Sequence, residues 1–159
     1  MSKQLKIEYV DIDLLHENPR NPRQHPDDAL EKLAASMEAF GWTNPIIVGK
    51  DDLVLAGHAR LKTARKLKIA SVPVVRVDLT EAEAALYMVA DNKTQELTEW
   101  DWPKLGNLFS ELDTGEIDLS ISGFDMDEIG SLMHGLDETI KAKAGGEKTN
   151  KCPECGHEW

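Results

Sequence analysis

The spacing of apolar and polar positions changes period several times along this chain, and each change marks an element. Leu5, Ile7, Tyr9 and Ile12 fall at roughly every second position, which predicts a short opening strand. His16 to Arg23 follows, and its Pro19 and Pro22 forbid both a helix and a central strand. From Asp27 to Phe40, Leu30, Leu33, Ala34 and Met37 recur at helical spacing, with Gly41 as the stop. Pro45 to Gly49 reads as a buried strand, Asp51-Asp52 as a turn, and Leu53-Val54-Leu55 as the hairpin partner. A second helix is expected over about His58–Leu67, then a strand over Val72–Val77. Thr80-Glu81-Ala82-Glu83 fits a capping box and opens a long helix to about Thr98. Two shorter helices follow, one over Trp100–Leu112 and one opening at Asp125 with Ile129, Leu132 and Met133 on one face. Lys141 to Asn150 has the composition of a flexible linker.

A chain of 159 residues has room for one ordinary domain with a tail, or for two very small domains. A hydrophobic fraction of 41% with 30% charged residues is that of a globular protein. No run approaches the ~18 apolar residues of a membrane span, and the start lacks the apolar stretch of a secretory signal. A cytoplasmic location without a membrane partner is therefore expected. Both cysteines lie in the last eight residues, which leaves no disulfide framework.

A net charge of −11 argues against a nucleic-acid binder until its distribution is considered. Residues 1–78 carry 12 Lys+Arg against 11 Asp+Glu, residues 79–144 carry 4 against 15, and residues 145–159 carry 2 against 3. The acidity sits in the middle segment, and the first half is free to present a basic face.

The densest candidate chemistry is Leu55-Ala56-Gly57-His58-Ala59-Arg60-Leu61-Lys62. A glycine between strand and helix lets the backbone turn tightly and keeps a side chain out of a ligand's way. The first helical N–H groups have no intrahelical partners, and the helix dipole adds partial positive charge there. A phosphate suits such a site, Arg60 has the fork to grip it, and Lys62 and Lys66 extend the field.

The order of motifs resembles that of ParB-type domains. Asn18-Pro19-Arg20-Asn21-Pro22-Arg23 is similar to their first box. It is followed by a helix, by Gly41…Asn44-Pro45-Ile46-Ile47-Val48, by Gly57-His58-Ala59-Arg60, and by Val72-Pro73-Val74-Val75. The resemblance covers about residues 5–98 and implies an α+β, ParB/sulfiredoxin-like fold: a small mixed sheet with helices. The expected organisation is that domain over 1–98, an acidic helical extension over 99–140, a linker over 141–151 and a Cys-x-x-Cys tail over 152–159.

The resemblance also implies a nucleoside triphosphate, ATP or CTP, bound with Mg²⁺. Gly57, His58, Ala59 and Arg60 would hold the phosphates, joined by Arg20 and Arg23 of the first box. Asp91 and Asn92, in Ala90-Asp91-Asn92-Lys93, stand where ParB proteins place Mg²⁺ ligands. A carboxylate and an amide oxygen suit that ion.

The departures narrow the function. His58 stands where sulfiredoxins have their cysteine, so no sulfiredoxin activity is expected. Leu61 and Gln95 stand where ParB proteins carry further arginines. Residues 99–144 are acidic where a chromosomal ParB continues into a helix-turn-helix, and phosphate contacts need Lys or Arg. The likeness is closer to the ParB-like domains of phages and mobile elements found beside DNA methyltransferases. It implies a DNA transaction, DNA modification above all, with DNA reached directly or through a partner such as a methyltransferase.

The rival expectation is an enzyme on the same scaffold, a DNA nuclease or an ATP-dependent small-molecule kinase. Glu17 is its candidate general base, with His16 and His25 in the same loop. The tail, Cys152-Pro153-Glu154-Cys155-Gly156-His157, is half of a zinc knuckle. With Cys152, Cys155 and His157 as candidate Zn²⁺ ligands, the rest of the set would come from elsewhere, and a homodimer joined through its tails follows. Trp100, Trp102, Phe109 and Phe124, set among acidic residues, are expected to fold the C-terminal helices onto the main domain.

Overall fold

The structure, a computed structural model, describes residues 4–135. Those residues form two compact units. The first runs to Glu99 and includes Ser120–Gly123; the second comprises Trp100–Leu119 and the described residues from Phe124 onward.

The first unit is built on a mixed four-stranded sheet. Its strands are β1 (Ile7–Asp11), β2 (Ile46–Val48), β3 (Val54–Ala56) and β4 (Ser71–Arg76), in the order β1-β4-β2-β3. β4 runs antiparallel to β1 and parallel to β2, and β2 and β3 form an antiparallel pair. Alternation along each strand sends Ile46, Val48, Val54, Val72 and Val74 into one core with Ile12, Leu15, Leu61 and Ala64.

Pro73 sits in this sheet's interior, where a proline ordinarily breaks the ladder. Val77 N–H donates to the Val48 carbonyl at 2.9 Å, so the same parallel step taken back twice would have residue 73 donate to Asn44. Pro73 has no proton to give. The Trp42 indole N–H fills the role, donating to the Asn44 carbonyl at 2.8 Å.

Three helices complete the unit. α1 (Asp27–Phe40) ends at Gly41, whose φ of 72° no other residue type adopts as readily. α2 (His58–Lys66) follows β3 directly. α3 (Glu81–Gln95) opens with Thr80 and Glu83 in a reciprocal capping box and lays Met88, buried, into the unit.

The second unit holds α4 (Trp102–Leu112), capped by Asp101, and α5 (Met126–Met133), capped by Asp125. Leu105, Phe109, Leu119, Ile129 and Leu132 are its core. Gly106 allows close helix packing, since a Cβ there would stand 2.3 Å from the Leu132 carbonyl oxygen. Within this unit Phe124 meets Phe109 and Trp100 edge-on, at 5.6 and 5.7 Å between ring centres. Among the described residues no helix is long and apolar enough to cross a membrane.

Candidate functional site

The β3–α2 turn fixes the site. Gly57 caps α2 in the left-handed region at φ 95°, and a Cβ there would stand 3.3 Å from Ile46 Cγ1 of β2. Both the backbone angle and the close approach require glycine. Leu61 N–H makes the first helical bond, to the Gly57 carbonyl at 2.9 Å, so the amides of His58, Ala59 and Arg60 have no intrahelical acceptor. α1, α3 and α5 carry carboxylates in their first turn and α4 has an aspartate cap; the start of α2 has neither. An anion placed there would meet uncompensated donors and the positive end of the dipole.

These amides open into a polar cleft of about 250 Å³. Arg23 and His25 line it from the first-box loop, Gly57 to Arg60 from the turn, and Asp91, Asn92 and Gln95 from α3. Arg60 is half-buried and, among the described residues, has no ion-pair partner. Arg23 is held by Glu96, Nη1 to Oε1 at 2.5 Å, and Glu96 also takes Lys93 at 3.1 Å. Asn92 donates its amide to the Met88 carbonyl at 2.8 Å, which leaves its oxygen as the acceptor end.

Two histidines flank the cleft. His58 is buried, and burial, then the neighbouring His25, push its pKa down to about 4. It is neutral, and its Nε2 accepts the Asn18 N–H at 3.4 Å, tying the first-box loop to α2. Burial and the charges of Lys62 and Arg23 also lower His25, whose Nε2 is enclosed without a hydrogen-bond partner among the described residues.

Of the residues singled out from the sequence, Arg23, Gly57, His58, Ala59, Arg60, Asp91 and Asn92 converge on this cleft. Arg20 does not line it. Its guanidinium pairs with Glu81 at 2.9 Å and borders a second, larger groove of about 450 Å³ on the far side of Leu55. Glu17 is also elsewhere, between Arg65 at 2.9 Å and Lys62 at 3.5 Å. A carboxylate held by two cations is poorly placed to take a proton from a substrate. Lys62 is therefore partnered, as is Lys66 by Asp27 at 2.7 Å, so neither extends a free positive field. Cys152, Cys155 and His157 lie outside the described residues. Among the described residues no three His, Cys, Asp or Glu side chains gather as a metal site.

His25, Asn21, Leu33 and Gln95 also line the cleft without having been chosen as site residues. Gln95 had a signal, since it stands where the resemblance calls for an arginine. A smaller pocket of about 140 Å³, bordered by Trp42, Thr43 and Asn44, shares Leu33 and Arg60 with the cleft.

Residues 1–102 match the ParB N-terminal domain. The chain belongs to that family. The ParB-like nuclease domain-containing protein YnaK of Escherichia coli (strain K12) is 39% identical over 75 residues, 47% of this chain and 86% of that protein. Stage 0 sporulation protein J of Bacillus subtilis (strain 168) is 37% identical over 81 residues, 48% of this chain and 28% of its own length. This ParB-family chain thus matches less than a third of that longer relative. The C-terminally truncated chromosome-partitioning protein ParB from Caulobacter crescentus, complexed with CTP-gamma-S, shares the fold. Its TM-score is 0.72 at 19% identity, covering 91% of this chain and 88% of that one.

Proposed function

We propose that this ParB-family chain binds a nucleoside triphosphate in the cleft at the start of α2 and serves a DNA transaction. One observation supports the reading: among the described residues Arg60 has no ion pair and stands beside three helix-start amides without acceptors, opposite Asp91. A guanidinium and amides of this kind match phosphate oxygens in charge and in donor geometry. The adjoining pocket by Trp42 and Asn44 would take the base, since a nucleotide needs a second subsite within reach of its phosphates. Arg23 would join the phosphates by exchanging Glu96 for the ligand.

Asp91 and the oxygen of Asn92 suit Mg²⁺, which takes one or two carboxylates and completes its shell with water and phosphate. Bound there, the ion would neutralise phosphate charge. The residues of the chain orient the ligand: Gly57 admits it, Arg60 clamps it, and His25 and His58 border it without charge.

The nucleotide of the Caulobacter neighbour makes CTP the first to test, with ATP beside it. The family, and relatives named as probable chromosome-partitioning proteins ParB, such as that of Campylobacter jejuni, favour DNA as the macromolecule served. Modification of phage or mobile-element DNA, with a methyltransferase as partner, is the specific transaction we place it in. A DNA nuclease is the second reading, favoured by the domain named in the Escherichia coli relative.

Calorimetric titration of CTP and ATP with Mg²⁺ tests the site. Wild type should bind one of them, and Arg60→Ala should bind it roughly a hundredfold more weakly. Absence of binding by wild type would overturn the reading, and steady DNA degradation by the purified protein would favour the nuclease.

A further inference from the structure

We propose that the free edge of β1 is a self-association surface, through which two copies of this chain pair antiparallel with Ile7 of each on the two-fold axis. Among the described residues β1 is the outer strand of the sheet, bonded on one side only, to β4. Its register opposes Glu8 to Val74, Tyr9 to Pro73 and Val10 to Val72. One step further on, Ile12 N–H donates to the Ala70 carbonyl at 3.0 Å. Bonded and non-bonded pairs alternate in an antiparallel ladder, so Val10 and Glu8 also bond toward β4. Ile7 and Tyr9 do not, which agrees with Pro73 having no proton to give Tyr9. The N–H and C=O groups of Ile7 and Tyr9 therefore point out of the sheet edge.

The side chains on the same alternate positions are apolar and bare. Leu5, Ile7 and Tyr9 are 65%, 63% and 73% exposed. An exposed edge with apolar side chains at alternate positions is a template for another strand, and Lys6 and Glu8 between them restrict which strand that is.

The sequence of the edge selects which strand. Outward-pointing groups must meet outward-pointing groups, so a two-fold axis has to fall on a residue. An axis at Lys6 opposes Lys6 to itself, and one at Glu8 opposes Glu8 to itself. An axis at Tyr9 sets Ile7 against Asp11. With the axis at Ile7, Lys6 faces the partner's Glu8 and Glu8 the partner's Lys6. Leu5 then faces the partner's Tyr9, Ile7 meets Ile7, and the bonds at residues 5, 7 and 9 are reciprocal. Backbone parity, charge and apolar contact agree in that register alone. Arg76, bonded to Glu8, holds its carboxylate at the edge. The two four-stranded sheets then continue as one.

Sedimentation equilibrium of the full chain tests this. Wild type should show a monomer–dimer equilibrium. Ile7→Pro removes an N–H that no bond among the described residues uses, and should give a monomer with unchanged circular dichroism and unfolding midpoint. Lys6→Glu should weaken the dimer by roughly threefold to tenfold. An equimolar mixture of Lys6→Glu and Glu8→Lys chains should recover it, because every facing pair is then of opposite charge. A wild type monomeric at all concentrations overturns the proposal, as does a dimer that Ile7→Pro leaves intact. Should Ile7→Pro not fold, an undiminished Lys6→Glu dimer overturns it equally.

Discussion

Two depressions lie on either side of Leu55 and share α3 as a wall, yet they differ in what they could hold. The larger, by Arg20 and Glu81, has an apolar floor of Leu53, Leu79 and Met88, and its arginine is already matched with a carboxylate. The smaller is polar, and at its centre an arginine and three backbone amides have no acceptor among the described residues. Size does not decide between them. A charged site built for an anion leaves its donors unmatched in the absence of ligand, whereas a structural arginine is matched within the fold.

The sharpest way to break the contrast is to remove the arginine on each side. Arg60→Ala should cost about 3 kcal/mol of triphosphate binding, roughly a hundredfold in Kd, by calorimetry. Gly57→Ala comes next. Its φ of 95° and the Ile46 contact should lower stability by about 1–2 kcal/mol in urea unfolding and weaken binding with it.

Acid should then separate the two sides, since only the cleft is bordered by histidines held neutral. His58 has a folded pKa of about 4 against 6.5 when free. As pH falls from 6.5 the unfolded chain takes up its proton first, so stability declines until about pH 4, where the folded protein also charges. His25 is shifted the same way and adds to the slope. His58→Gln should flatten the decline measured by urea midpoint against pH.

Smaller effects sharpen the picture. Glu96→Ala frees Arg23 and should tighten triphosphate binding by about twofold to fivefold, since an exposed pair contributes little beyond competition for the ligand. Arg20→Ala, on the other side of Leu55, should change Kd by less than about twofold, because its partner is an exposed carboxylate.

Much of this fold is legible in the sequence. α1 was readable because its apolar period, its acidic start and Gly41 agree. The β3–α2 turn was readable because glycine is needed there for two reasons at once. β3 lies one residue later than the pattern implied: Asp51 and Asp52 both take left-handed angles, and the tight turn they make absorbs Leu53. Ile12, counted with the opening strand, instead begins a single 3₁₀ turn capped by Asp11. The first-box arginines were the least legible. Asn18 Oδ1 accepts Arg20 N–H and Asn21 Oδ1 accepts Arg23 N–H. These Asx turns aim the two guanidinium groups to opposite sides of Leu55, and no periodicity encodes that. His25 reaches the cleft through the same loop.

The indole that replaces the donor missing at Pro73 has an optical consequence. Trp42 is anchored through its nitrogen to Asn44 and forms a wall of the pocket that shares Arg60 with the cleft. A base stacking or pressing there would quench or shift its emission, while Trp100 and Trp102 belong to the other unit. The difference spectrum between the wild type and Trp42→Phe is thus a built-in fluorescence gauge of occupancy, needing no label.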